Sequence, residues 1–215
     1  MPTRKVTRTT PDTPSDPAAG RASESAAGGP SRRAGKRERL IAAACEVIYA
    51  QGVEHSSLAD IAAAAEVPLG NVYYYFRTKE DLVQAVIEAQ LARAHTVLAA
   101  IEATSDDPRA RLRGLFGTLG QETELIARYG CPFGSLCLEL DKRAEGPGAA
   151  ASLIRVPIDW AERQFRAMGR ADARDLAIEV IARYQGAALL TSTLRDPALM
   201  TRETARVADW LDALA

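Results

Sequence analysis

One short stretch of the sequence carries side chains whose types and spacing suit contact with the bases and phosphates of DNA. It runs from Ser56 to Leu82 and reads SSLADIAAAAEVPLGNVYYYFRTKEDL. Asn71 can form two hydrogen bonds with the edge of an adenine, and Leu69 can contact the methyl group of a thymine. Gly70, which lies between them, would let a helix approach the bases closely. This is the chemistry of a DNA-reading helix.

Three consecutive tyrosines follow these residues. Tyrosine combines a flat apolar ring with a hydroxyl, so Tyr73, Tyr74 and Tyr75 can pack into a groove of the duplex while bonding phosphate oxygens. Tyr73 is open to a second interpretation, because buried aromatic side chains dominate small cores. We expect core packing for Tyr73 and Phe76, although Tyr73 also stays among the candidate DNA contacts. Lys79 is interpreted as a phosphate contact rather than as part of a structural ion pair.

Capping residues and apolar spacing show which elements position these side chains. Ser57 and Asp60 form a capping box that begins a short helix. The chain must then turn at Glu66 and Val67, and Pro68 suits the first position of a second helix, which runs to Phe76. The buried face of the first helix is marked by apolar residues at helical spacing, namely Leu58, Ile61, Ala62 and Ala65. The sequence therefore predicts a helix-turn-helix.

The same region resembles the N-terminal domain of TetR/AcrR-type transcriptional regulators. The resemblance rests on a basic first helix from Lys36 to Gln51, a stop at Gly52, and the strings SSLADIAAAAEV and PLGNVYYYFRTKEDLV. Residues at the positions of the family pattern are Val67, Val72, Tyr73, Phe76 and Lys79. The resemblance implies a dimeric regulator, most simply a repressor, that binds a palindromic operator and is released by a small apolar or aromatic effector. It places DNA contacts on Leu69, Gly70, Asn71, Tyr74, Tyr75 and Lys79. Further candidate DNA contacts are Lys36, Arg37, Ser57 and Tyr73.

Charge is distributed unevenly along the chain. Residues 1–39 contain nine Lys and Arg against four Asp and Glu, whereas the whole chain carries a net charge of −1. A basic cluster runs into the first helix, and next to a helix-turn-helix we expect it to attract DNA, although its far end could equally be a solubilising terminus. Its members are Arg32, Arg33, Lys36, Arg37 and Arg39.

Three regions are predicted. Residues 1–33 are rich in Pro, Ser, Thr, Ala and Gly without apolar periodicity, so we expect a disordered basic arm. Residues 34–82 form the helix-turn-helix domain, and residues 83–215 form a helical effector-binding and dimerisation domain. The start of the chain lacks the apolar core of a signal peptide, which favours a cytoplasmic protein, and no apolar run is long enough to cross a membrane.

The rest of the chain is predicted to be helical, which makes the fold class all-α with about nine helices. Thr78 and Asp81 cap a long helix that ends near Thr104. One helix is expected from Asp107-Pro108 to Gly130, a short one at 136–140, and a longer one at 149–168 with a kink at Pro157. The last two helices are expected at about 173–194 and 197–214.

The terminal pair of helices is apolar and rich in small residues. By itself this pattern fits an ordinary buried helix as well as an interface. The family resemblance favours a four-helix dimer interface that includes Gly186, Leu189, Leu190 and Trp210. A two-fold dimer would hold two recognition helices about 34–36 Å apart, which is one turn of duplex.

The candidate effector site is less constrained by the sequence. Phe133, Leu136, Trp160, Phe165, Met168 and Tyr184, together with Tyr129, could line a cavity for an apolar or aromatic effector, but core packing is favoured for any one of them. A kink at Pro157 would leave room for such a cavity. The effector's identity cannot be read from these residues.

Other classes of protein find little support in the sequence. It has no phosphate-binding glycine loop, GxGxxG or HExxH motif, so no enzyme is predicted. Cys45, Cys131 and Cys137 match no zinc or CxxC spacing, and neither a metal nor another cofactor is expected. Two alternatives stay open, an architectural DNA-binding protein without an effector and a regulator that senses thiol chemistry through Cys131.

Overall fold

The computed structural model describes residues 35–141, 148 and 150–214. They form helices and no strand within those ranges, which confirms the all-α class. The predicted arm of residues 1–33, with Arg32 and Arg33, lies outside the described residues. The helices are α1 (Lys36–His55), α2 (Leu58–Ala64), α3 (Leu69–Tyr75), α4 (Lys79–Glu102), α5 (Pro108–Leu119), α6 (Thr123–Tyr129), α7 (Pro132–Asp141), α8 (Ala151–Ala167), α9 (Ala173–Leu194) and α10 (Pro197–Ala213).

The helix ends in the N-terminal region follow the local signals in the sequence. α1 is interrupted at Gly52, whose φ of 83° suits glycine, so the predicted stop is confirmed. The Ser57–Asp60 capping box forms at the start of α2, and the chain then turns through Glu66 at a positive φ of 53°. Pro68 lies one residue earlier than predicted, as the N-cap of α3 rather than its first residue.

Two predictions for the middle of the chain are corrected. The single helix expected from Pro108 to Gly130 is divided into α5 and α6, with Gly120 as the C-cap of α5. Glycine has a low helix propensity, and a Cβ at Gly120 would lie only 3.1 Å from the Thr204 hydroxyl of α10. The short helix expected at 136–140 begins earlier, at Pro132, and α8 continues through Pro157.

The described residues pack around two hydrophobic cores. The first joins α1, α2 and α3 to the first half of α4, and Leu136 of α7 and Leu153 of α8 also pack into it. The second joins the end of α4 to α5, α6, α8, α9 and α10. α4 therefore contributes to both cores. We call α1, α2 and α3 the head and the other described helices the body. The head shares its core with the body.

Candidate nucleic-acid interface

α3 is held to the first core by one side and presents the other to solvent. Val72 and Phe76 are buried, which confirms the prediction for Phe76. The prediction of core packing for Tyr73 is wrong, because its side chain is 54% exposed. Successive residues of an α-helix lie about 100° apart, so with Val72 facing inward its neighbour is turned toward solvent. Tyr73 thus belongs to the outer surface of α3.

The exposed face of α3 is broad and partly aromatic. Tyr74 is 82% exposed, and Leu69 and Gly70 are also exposed. A Cβ at Gly70 would meet no atom within 4 Å, so nothing in the described part of the protein requires glycine there. Tyr75 is half-buried against the first core, and its ring meets the Tyr74 ring edge to face at 5.0 Å between centroids. Tyr75 therefore supports the exposed Tyr74 from below.

The basic start of α1 lies against the end of α3. The Arg37 guanidinium is 5.5 Å from the centroid of the Phe76 ring, a distance that permits a cation–π interaction. Both Arg37 and Lys36 are exposed. The sequence shows the two basic residues but not this contact, because the partners are far apart in the chain. The fold places positive charge at the C-terminal end of α3.

Two other candidate DNA contacts, Ser57 and Lys79, form hydrogen bonds within the protein. The Ser57 hydroxyl donates to the Asp60 carboxylate at 2.6 Å, and these hydrogen bonds lower the pKa of Asp60. Lys79 is half-buried, and its Nζ donates to the backbone carbonyl of Glu54 at 3.2 Å. An ammonium group has three donors, so Lys79 retains hydrogen-bonding capacity beyond this contact. Asn71 is half-buried on the first turn of α3.

A contact that the sequence analysis missed joins the head to the body. The Glu139 carboxylate of α7 accepts a hydrogen bond from the backbone N–H of Val53 at 2.5 Å. A Cβ at Gly52 would lie 2.8 Å from Glu139 Oε1, so only glycine allows the carboxylate to come this close. Nearby, the Tyr49 hydroxyl donates to the Gly130 carbonyl at 2.8 Å. The turn that precedes the helix-turn-helix is thus fastened to α6 and α7.

The candidate effector residues lie mainly in closed packing. Trp160, Phe165 and Tyr184 are buried in the second core, and Phe133 and Met168 pack against it. The Trp160 indole N–H donates to the Glu102 carboxylate at 2.8 Å. The structure thus places these side chains in or against the core, which is the interpretation that the sequence favoured for each of them.

Leu136 and Tyr129 are the candidate effector residues that reach a cavity. They line one of about 480 Å³ between α1, α4, α6, α7 and α9. A second cavity, of about 760 Å³, lies between α4, α7 and α8. The other five candidates do not line either of these two cavities, because the side chains of Phe133, Trp160, Phe165, Met168 and Tyr184 are packed in or against the second core.

The candidate interface residues of α9 lie on its solvent side. Leu189 is 63% exposed and Leu190 is 51% exposed, while Gly186 is exposed with open space around it. The opposite face of the helix is buried, at Tyr184, Ala187, Ala188 and Thr191. α9 therefore has two apolar faces, of which the described part of this chain covers one. Trp210 of α10 is half-buried, and the Arg183 guanidinium lies 4.9 Å from its ring centroid.

The cysteine environments do not favour thiol chemistry at two of the three sites. Burial raises the pKa of Cys45 and of Cys137 to about 11, so both thiols are protonated at neutral pH and weakly nucleophilic. The buried Cys131 Sγ accepts hydrogen bonds from Gly134 N and Gln185 Nε2, each at 3.4 Å.

In the part of the chain that the structure describes, no group of three or more His, Cys, Asp or Glu side chains could hold a metal ion. None of the described helices is long and apolar enough to span a membrane.

A helix-turn-helix with an exposed recognition helix, carried on a helical body, is the architecture of a DNA-binding regulator. Comparisons with known proteins agree. Residues 40–86 match the family of bacterial regulatory proteins of the tetR family. The HTH-type transcriptional regulator TtgR of Pseudomonas putida is 30% identical over 162 residues, which cover 70% of this chain and 77% of that protein. The chain belongs to the TetR family of transcriptional regulators, which are not enzymes.

Further relatives support the assignment. The HTH-type transcriptional repressor DhaR of Mycobacterium sp. is 28% identical over 71% of this chain and 80% of its own length. The crystal structure of a TetR transcriptional regulator from Legionella pneumophila superposes with a TM-score of 0.75 over 84% of this chain and 98% of that one, at 22% identity. The regulatory protein TetR from Rhodobacter sphaeroides superposes with a TM-score of 0.68 at 28% identity, over 81% of this chain and 97% of that one.

Proposed function

We propose that this TetR-family regulator is a homodimeric repressor that binds a palindromic operator and is released by a small-molecule effector. The observation that carries the proposal is the exposed face of α3, together with the basic start of α1 that lies against the end of this helix. The family relationship supports the repressor role, since the relative DhaR is named as a repressor.

The composition of the α3 face supports DNA binding. Tyr73 and Tyr74 expose large rings that nothing in the described part of the chain covers, and hydroxyl groups of this kind bond phosphate oxygens. The open surroundings of Gly70 would allow the helix to approach base edges, with Leu69 and Asn71 on either side. Arg37 would add charge neutralisation at the end of the same helix.

The exposed apolar face of α9 supports the dimer. Gly186, Leu190 and Leu194 repeat at a spacing of four residues, so they lie on one side of the helix, with Ile178 and Leu189 adjoining them. A contiguous exposed apolar surface of this kind marks an interaction site in a folded protein. A second copy of the same face would cover it by two-fold symmetry, which would also pair two recognition helices for a palindrome.

The shared packing of head and body supports release by an effector. The head packs against α7 and α8 through the first core and is fastened to α7 through Glu139. A ligand that binds the body more tightly when these contacts are rearranged must lower the affinity of the protein for DNA. Bound DNA must in turn lower the affinity of the protein for that ligand by the same factor.

Selection of bound duplexes from a random pool, followed by fluorescence anisotropy, tests the DNA-binding part. We expect one palindromic site bound by two protein chains, with affinity that falls steeply as salt rises. Asn71→Ala should relax the preference at one position of each half-site, whereas Lys79→Ala should weaken binding to all duplexes about equally. Recovery of non-palindromic sites only, or a loss in Lys79→Ala confined to one duplex, would contradict the proposal.

A further inference from the structure

The cavity of about 760 Å³ between α4, α7 and α8, called the α4–α8 groove below, has the size and lining of a ligand site. Small-molecule sites in proteins typically measure about 300–1,000 Å³ and are mostly apolar with a few polar groups. The apolar walls of this groove include Val83 and Ile87 of α4, Leu138 of α7, and Ile154 and Ile158 of α8. The groove is thus separate from the buried aromatic residues that the sequence pointed to.

Two of the walls carry apolar side chains that the cores leave partly exposed. Leu138 is 65% exposed, although Leu136 on the same short helix is buried. α8 turns Leu153 and Trp160 into the protein, whereas Ile154 and Ile158, four residues apart, are half-buried and line the groove, and Ile158 also packs against the second core. α8 therefore presents apolar side chains both to the cores and to the groove.

One cation on the same face of α8 has no ion-pair partner among the described residues. Arg155 follows Ile154, lines the groove and is exposed, and it forms no salt bridge within that part of the chain. By contrast, Arg174 at the same groove is bound to Asp159 at 2.6 Å and to Glu162 at 2.9 Å. Arg155 is therefore the arginine of this lining that is available to an anionic ligand.

The remaining charged groups of the lining lie on the other walls. Lys79 and Glu80 belong to the first turn of α4, and Asp141 ends α7. Lys79 donates to the Glu54 carbonyl, as described above. The carboxylates of Glu80 and Asp141 repel an anion on their side of the groove. The favourable place for a negative group is therefore the α8 wall at Arg155.

We propose that the α4–α8 groove binds an amphipathic organic monoanion. The apolar part of the ligand lies against Val83, Leu138 and Ile158, and its carboxylate or sulfonate is held by the guanidinium of Arg155, which can form two parallel hydrogen bonds to such a group.

The position of the groove connects it to the head. Its α4 wall begins at Lys79, directly after the Thr78 cap that follows the recognition helix. α7, which forms another wall, also carries Glu139, which lines the first cavity and accepts the hydrogen bond from Val53. A ligand that spreads these walls would shift the start of α4 relative to the turn before α2. This regulatory role of the ligand rests on the proposed function, because it makes the amphipathic anion the effector.

Calorimetric titration of the full-length protein tests the binding site. Octanoate is the probe, and octan-1-ol is its uncharged match of equal chain length. We expect octanoate to bind at least tenfold more tightly than octan-1-ol. Arg155→Gln should remove that difference by weakening octanoate alone, and Ala151→Phe, which fills the groove, should weaken both compounds. Arg163→Gln, an exposed change on α8 outside the groove, should bind both like the parent protein.

Each other result overturns a defined part of the inference. No octanoate binding, or binding that neither Arg155→Gln nor Ala151→Phe alters, refutes the groove as the site. Equal affinity for the two probes refutes the anionic ligand class. Arg155→Gln changes an exposed side chain and should fold, so the test does not depend on the groove-filling variant.

A parallel anisotropy assay with the selected operator separates the two proposals. Octanoate should release operator from the parent protein and from Arg163→Gln but not from Arg155→Gln. If octanoate binds the groove and the operator stays bound, the regulatory role of the ligand is refuted and the binding site stands. If no duplex binds at all, the proposed function fails independently of the groove.

Discussion

Glu139→Ala tests whether the contact between α7 and the turn before α2 holds the head in place. The variant removes the acceptor of the Val53 backbone N–H, which belongs to a fully buried residue. A buried donor left without a partner costs about 1–3 kcal/mol. Since Glu139 itself is only half-buried, water can replace part of the lost bond. We therefore expect the free energy of unfolding to fall by about 1–2 kcal/mol.

Urea denaturation followed by circular dichroism measures this change. Glu139→Gln keeps an oxygen acceptor for Val53 without the charge, so it should recover roughly half of the lost stability. Glu88→Ala, an exposed change on α4 that removes a side-chain hydrogen bond with Gln84, is the control and should stay within about 0.5 kcal/mol of the parent.

Operator binding gives a second measurement on the same variants. Glu139→Ala should weaken it several-fold, because the two heads of a dimer would no longer be held at a defined spacing. If Glu139→Ala matches Glu88→Ala in both stability and operator affinity, the hydrogen bond to Val53 does not fasten the head, and the coupling derived from it is refuted.

Leu190→Glu should convert the dimer to a monomer in analytical ultracentrifugation and lower operator affinity with it, because a buried unpaired carboxylate costs several kcal/mol; an intact dimer would place the interface elsewhere. Tyr74→Ala should weaken operator binding while the urea midpoint stays near that of the parent, since the ring is mostly exposed, and a large loss of stability would contradict a role at the DNA surface. Ser57→Ala should raise the pKa of Asp60 toward its ordinary value, as followed by NMR titration. The pKa of Asp60 is lowered in the folded protein, so ionised Asp60 stabilises the fold at pH values above its unfolded pKa. This stabilisation is lost as the pH falls through the folded pKa, and the loss should be smaller in Ser57→Ala.

The helix ends of this protein were determined largely by the sequence alone. The Ser57–Asp60 and Thr78–Asp81 capping boxes, the stop at Gly52 and the Asp196-Pro197 start of α10 all form as predicted. A cap or a glycine turn is a contact among neighbours in the chain, so its chemistry is complete within a few residues. The helix-turn-helix and its family pattern were recognisable for the same reason.

The tertiary structure decided which faces are covered. Tyr73 was expected in the core and lies at the surface, while Trp160 and Phe165 fill the core instead of lining either described cavity. An aromatic residue at helical spacing is apolar in either setting, and only its neighbours in space decide between them. The sequence gives the type of each side chain but does not determine which residues pack against it.

Contacts between distant segments were beyond the sequence for a further reason. Three features each involve helices far apart in the chain: the hydrogen bond from Val53 to Glu139, the close approach of Gly120 to Thr204, and the placement of Ile154 and Val83 in the lining of one groove. Their geometry depends on how the helices cross, which is determined by the packing of whole surfaces rather than by local propensity. Local chemistry therefore determined the elements and the DNA-binding class, and long-range packing determined the fastening of the head, the exposed face of α9 and the groove.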